Sequence, residues 1–170
     1  MAPGLAAMLA AGCTPVLDWR EVRAEGGSVV ASMPCKPKPL RREVALAGAR
    51  VTLTLQACDA AQRTWALASA EVADPARVGP VLVALRRAAL DNLGVAAPRV
   101  EQRFVVDGAT PHPASTSIEF EGRLPGGELV SERVGVFAHG TRVYQATVLG
   151  PAVDDEPVRT FFGSLQVAAR

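Results

Sequence analysis

The sequence predicts an α+β fold: a mostly antiparallel sheet of about seven to nine strands with two amphipathic helices packed on it. Three observations lead there. Segments of alternating polarity recur, and short glycine-containing turns join most of them, which favours antiparallel neighbours. Apolar residues recur at helical spacing in two places, 78–93 and 158–165. Each of these follows a block of strands, so strands and helices do not alternate one by one.

The first strand is expected over 19–22, and Glu25-Gly26-Gly27 reads as a hairpin turn because glycine accepts positive φ. A second strand over 28–33 is stopped by Pro34, and Lys36-Pro37-Lys38-Pro39 keeps the chain extended. A third strand over 42–47 turns at Gly48-Ala49 into a fourth over 51–57. In that fourth strand Val51, Leu53, Leu55 and Ala57 share one face, and Thr52, Thr54 and Gln56 the other. Residues 59–63 are polar and turn-like. The fifth strand, 64–72, carries Trp65 and Leu67 on one face and Ala66, Ala68 and Ala70 on the other; the small face can seat a helix.

Asp74-Pro75 caps a first turn, and Pro80 suits the start of the main helix. Val78, Leu82, Leu85, Ala89 and Leu93 form its apolar stripe; Arg86, Arg87 and Asp91 lie off it; Gly94 stops it. Strands then resume over 100–106, with Val105 and Val106 turned inward, and Asp107-Gly108 is a turn. The loop Pro111-His112-Pro113 precedes a strand over 115–124. There Thr116, Ile118, Phe120 and Leu124 face in, while Ser117, Glu119, Glu121 and Arg123 face out. Pro125-Gly126-Gly127 turns into a strand over 129–138, and His139-Gly140 into its partner over 141–149. A last helix over 154–165 has Asp154 and Asp155 at its positive end and Val158, Phe161, Phe162 and Leu165 on one side.

The 170 residues divide into a leader, 1–18, and a single domain, 19–170, long enough to bury a core. Apolar residues make up 49% and charged ones 21%, the balance of an ordinary globular chain. The net charge of +1 and the isolated pairs Arg41-Arg42 and Arg86-Arg87 lack the basic stripe of a nucleic-acid binder. Aromatics at 5% leave little for base stacking. Charges interrupt every apolar run before it reaches the roughly 20 residues of a transmembrane helix.

No catalytic or cofactor-binding constellation stands out, so no catalytic residue, metal ligand or cofactor is expected. Of the two histidines, His139 sits at a hairpin tip. His112, held between two prolines, is the one side chain a stiff loop could present to a partner. Neither has a His or Cys neighbour at zinc-ligand spacing. Asp154-Asp155-Glu156 reads as helix capping, and Glu119 and Glu121 as solvent-facing beside Arg123. Nucleotide-loop, nucleophile-elbow and His-Glu-x-x-His signatures are missing.

Two resemblances add to this reading. Leu9-Ala10-Ala11-Gly12-Cys13, after a short apolar run, resembles the lipobox of bacterial lipoproteins. That resemblance implies lipidation of Cys13 and a membrane anchor at the N-terminus. Thr14, rather than Asp, implies the outer membrane, with the body facing the periplasm. The alternative is an Ala-rich leader carrying an ordinary cysteine. If lipid takes Cys13, the other two of the three cysteines, Cys35 and Cys58, are left as a pair that an oxidising compartment allows to bond. An up-down-up meander would set them two strands, about 10 Å, apart. Bridged Cα atoms lie within about 7 Å, so the loop at Cys35 would have to fold inward. Two buried free thiols are the alternative.

The second resemblance rests on Pro34-Cys35-Lys36-Pro37-Lys38 after a strand, Leu90-Asp91-Asn92-Leu93-Gly94 closing a helix, Gly140-Thr141-Arg142-Val143-Tyr144-Gln145 in a hairpin and Phe161-Phe162-Gly163-Ser164-Leu165 near the end. This order resembles small exported bacterial domains of the PsbP-like fold, shared with the Ran-binding Mog proteins. It implies a central antiparallel sheet and no catalytic residues. The expectation is a non-enzymatic lipoprotein that binds another envelope protein or assists assembly. The loop Pro111-His112-Pro113 is its candidate contact. The competing expectation is a carrier of a small apolar ligand in a pocket between sheet and helix.

Overall fold

The computed structural model describes residues 16–168. Two sheets form, not one. β1 (Arg20–Arg23) and β2 (Val29–Met33) pair as the expected hairpin, but they stand apart from the strands that follow. β3 (Lys38–Leu46), β4 (Ala49–Ala60) and β5 (Arg63–Glu71) make a continuous antiparallel meander. A 3-10 turn, Pro75–Arg77, opens when the Asp74 carboxylate accepts the Ala76 N–H at 2.9 Å, and leads into α1 (Val78–Asn92). β6 (Val100–Arg103), β7 (Thr116–Arg123), β8 (Leu129–His139) and β9 (Arg142–Gly150) follow, then α2 (Glu156–Gly163) and β10 (Gln166–Val167).

The large sheet runs β3-β4-β5-β9-β8-β7-β6, so β9 inserts beside β5 and joins the two blocks. The small sheet runs β1-β2-β10. Alternation along each central strand then serves two cores. Ala70, Val134, Val136, Val143, Ile118 and Phe120 face α1, whose stripe Val78, Leu82, Leu85, Ala89 and Leu93 is buried as predicted. Trp65, Leu67, Phe137, Tyr144, Ala146 and Val148 face the small sheet and α2. The molecule is therefore layered: α1, the seven-stranded sheet, then the small sheet with α2. α1 touches β8, β9 and the edge strand β3. β3 is three strands, roughly 14 Å, from β9 in a flat sheet, so the sheet curls around the helix.

The second layer corrects several expectations. Ser117 and Glu119 do not face solvent: Ser117 is buried, and the Glu119 side chain is 15% exposed between Arg99 and Arg133. β6 ends at Arg103, and Val105 points away at 78% exposure while Val106 is buried. α2 starts two residues later than expected, with Asp155 as its cap. Pro39 lies inside β3, not in a connector before it.

Candidate binding edge and the cavity beside it

β3 is the first strand of the large sheet, and nearly all of its residues are exposed. The hairpin it forms with β4 closes through Ala47 and Gly48, at φ 49° and 74°. Positive φ at both central residues is the type I′ arrangement, which suits the twist of the flanking strands. Such a turn closes on a hydrogen-bonded pair, here Leu46 and Ala49. Pairs alternate along an antiparallel ladder, so Val44, Arg42, Leu40 and Lys38 turn their backbone groups toward β4. Pro39, Arg41, Glu43 and Ala45 turn theirs outward. Pro39 is tolerated because its missing N–H falls on the open side.

The side chains sort the other way. Lys38, Leu40, Arg42, Val44 and Leu46 share the α1 side of the sheet with Ala57, Leu55, Leu53 and Val51. Leu40 is 55% exposed there. Arg41 lies on the opposite side and forms an ion pair with Glu25. The sequence reading missed this edge because two prolines masked the start of the strand. The signal available was the alternation cation, apolar, cation at Lys38, Leu40 and Arg42.

Where β4 meets β5, β7 meets β8 and β9 ends, a cavity of about 510 Å³ opens. Its walls include Ala60, Leu124, Val130 and Leu149, with Asp59, Arg63 and Glu128 at the rim. Glu132 lies on the same sheet face, between Val130 and Val134 along β8 and paired across to Phe120 and Leu149. It is 8% exposed. Among the described residues no hydrogen bond or ion pair reaches its carboxyl group. Burial alone pushes its pKa up to about 7.

On the opposite face, the Arg133 guanidinium lies 4.4 Å above the Phe162 ring and 3.6 Å from Glu119. Burial lowers its pKa, Glu119 raises it and Arg159 lowers it.

The expected site residues do not converge. Cys13 lies outside the described residues. Cys35 and Cys58 are bonded, with Cα atoms 5.9 Å apart. The predicted spacing of about 10 Å assumed one sheet. Instead Cys35 leaves the small sheet just as the chain crosses to the large one, and Cys58 faces it from β4 beside Trp65. The loop Pro111-His112-Pro113 sits at the β6 edge, far across the sheet from β3. Pro111 and Pro113 are exposed, but the His112 ring packs on Gly79 at the start of α1. Its Nδ1 accepts the Ala114 N–H at 3.0 Å, so the ring closes its own loop. His139 is exposed, with Nδ1 3.1 Å from the Gly108 carbonyl.

Among the described residues no three His, Cys, Asp or Glu side chains gather as a metal site. No described helix is long and apolar enough to cross a membrane. No family model matches the chain, and the search of curated proteins returned no match.

Proposed function

We propose that the chain is a non-enzymatic lipoprotein, facing the periplasm, that binds another envelope protein. The observation that carries this reading is the β3 edge, where, among the described residues, no strand pairs with the outward backbone donors and acceptors beside an exposed leucine. An exposed edge of this length has room for an added strand, and the lysine, arginines and proline along it guard against nonspecific pairing, so the strand it admits is a selected one. In this reading lipid on Cys13 holds the body at the outer membrane, and the Cys35–Cys58 bond persists in the oxidising compartment around it. The resemblance to PsbP-like domains points the same way by analogy only. Affinity capture of the full lipidated chain from detergent-solubilised envelopes tests it. One protein recovered in fixed ratio, and lost when the bait is heat-unfolded, is the expected result. Recovery of no specific protein overturns the reading.

A second reading, a carrier of a small apolar ligand, would use the cavity of about 510 Å³, which lies at the strand ends and is lined by no residue of α1 or α2, in place of the expected pocket between sheet and helix. Solvent extraction and mass spectrometry of the purified native protein test it. A single apolar compound near one equivalent supports the carrier, and an empty extract removes it.

A further inference from the structure

We propose that β3 accepts an extended segment of a partner protein as an added strand, and that this segment carries acidic, apolar and acidic side chains at alternate positions. The inference rests on the binding reading above and supplies the chemistry of what is bound.

Two independent features of β3 specify the occupant. The first is the backbone. Arg41, Glu43 and Ala45 offer outward N–H groups, and Pro39, Arg41, Glu43 and Ala45 offer outward carbonyls. That row is continuous over about 20 Å. Only another polypeptide in extended form matches it group for group; a lipid headgroup or a free anion does not.

The second is the side-chain row on the α1 face. Lys38, Leu40 and Arg42 present cation, apolar group and cation at successive positions. All three are exposed. Among the described residues no carboxylate is in ion-pair reach of Lys38 or Arg42. Residues of an added antiparallel strand that face this row would occupy non-hydrogen-bonded pairs, where side chains lie closest. An apolar side chain opposite Leu40 would cover its exposed surface. Acidic ones two positions to either side would meet Lys38 and Arg42.

The same row argues against a second copy of this chain. Two-fold antiparallel pairing about Leu40 would set Lys38 against Arg42 twice over, and like charges directly opposite are destabilising.

The test uses the full chain, isotopically labelled, and a seven-residue peptide. The peptide alternates threonine on one face with glutamate, valine and glutamate on the other. Binding should slow amide exchange at Arg41, Glu43 and Ala45 by tenfold or more, and should weaken as salt rises. The double variant Lys38→Glu/Arg42→Glu should bind this peptide about tenfold less tightly. It should take up a lysine, valine, lysine version instead, which also shows that the variant is folded. The proposal is overturned if neither peptide binds at millimolar concentration, or if charge reversal changes nothing. Slowed exchange elsewhere, or binding to anionic vesicles without slowed exchange on β3, overturns it as well. Envelope capture separates the two claims. A partner retained by Lys38→Glu/Arg42→Glu removes the edge and leaves the binding reading intact. A peptide that binds β3 while no envelope protein is captured leaves the edge and removes that reading.

Discussion

Among the described residues the Glu132 carboxyl group has no partner where it lies, between Val130 and Val134 and across from Phe120 and Leu149. Its pKa is raised from 4.5 to about 7, so the folded state holds a proton that the unfolded chain releases. Stability from this group is therefore greatest below about pH 4.5 and is lost as pH climbs through 7. The difference corresponds to roughly 3 kcal/mol. Glu132→Gln should thus be close to wild type at pH 4.5 and more stable by up to about 3 kcal/mol at pH 8, as read by urea unfolding at both values. Equal differences at the two pH values would contradict the buried carboxyl. Gly135 is constrained by space instead. A Cβ there would lie 2.5 Å from the Phe104 ring, which packs edge-on against Phe137 and Phe162. Gly135→Ala should lower stability by about 1–3 kcal/mol in thermal melts.

Asp155 shows how one residue secures an element. One carboxylate oxygen accepts the Val158 N–H at 3.4 Å and caps α2; the other meets Arg63 on β5 at 2.5 Å. Arg63 also donates to the Ala152 carbonyl, so the segment entering α2 is tied to the sheet twice. Asp155→Ala should lose the cap and the ion pair together, roughly 2 kcal/mol, as a shift in urea midpoint. Asp155→Asn should retain part of that, because it can still cap.

At this scale the sequence was read well where one element answers to one period. The α1 stripe and the Ile118–Phe120 face of β7 stand where periodicity placed them, while the hairpin turns at Ala47-Gly48 and Gly140-Thr141 fall one residue from the expected Gly48-Ala49 and His139-Gly140. Periodicity does not say which sheet a strand joins, and that is where the reading failed. β1 and β2 alternate like any meander strand, yet they pack across the large sheet. Ser117 and Glu119 lie on the face turned to that layer, Ser117 paired with Gly135 beneath the Phe104 ring and Glu119 between Arg99 and Arg133. β10 is two residues long and carries no pattern at all. The β3 edge was half visible, as basic and apolar alternation, but its meaning depends on lying at the margin of the sheet, a topological fact.

For the whole molecule, the Cys35–Cys58 bond crosslinks the segment that leaves the small sheet to β4 of the large one. It joins residues 23 apart, and loop-closure entropy assigns such a crosslink about 3 kcal/mol. Cys35→Ala/Cys58→Ala should lower the melting temperature by about 10 °C, and reduction of the wild type should reproduce the loss. A variant that melts with the wild type would mean the layers hold without it.

β2 receives β1 on one side and β10 on the other, with Gln166 opposite Val30 and the Ser164 hydroxyl accepting the Ser32 N–H at 2.8 Å. A chain emerging N-terminus first must therefore wait, with one flank of its second strand open, until residues 164–167 arrive. Synthesis that halts before residue 164 leaves a body whose smaller sheet has never been shut.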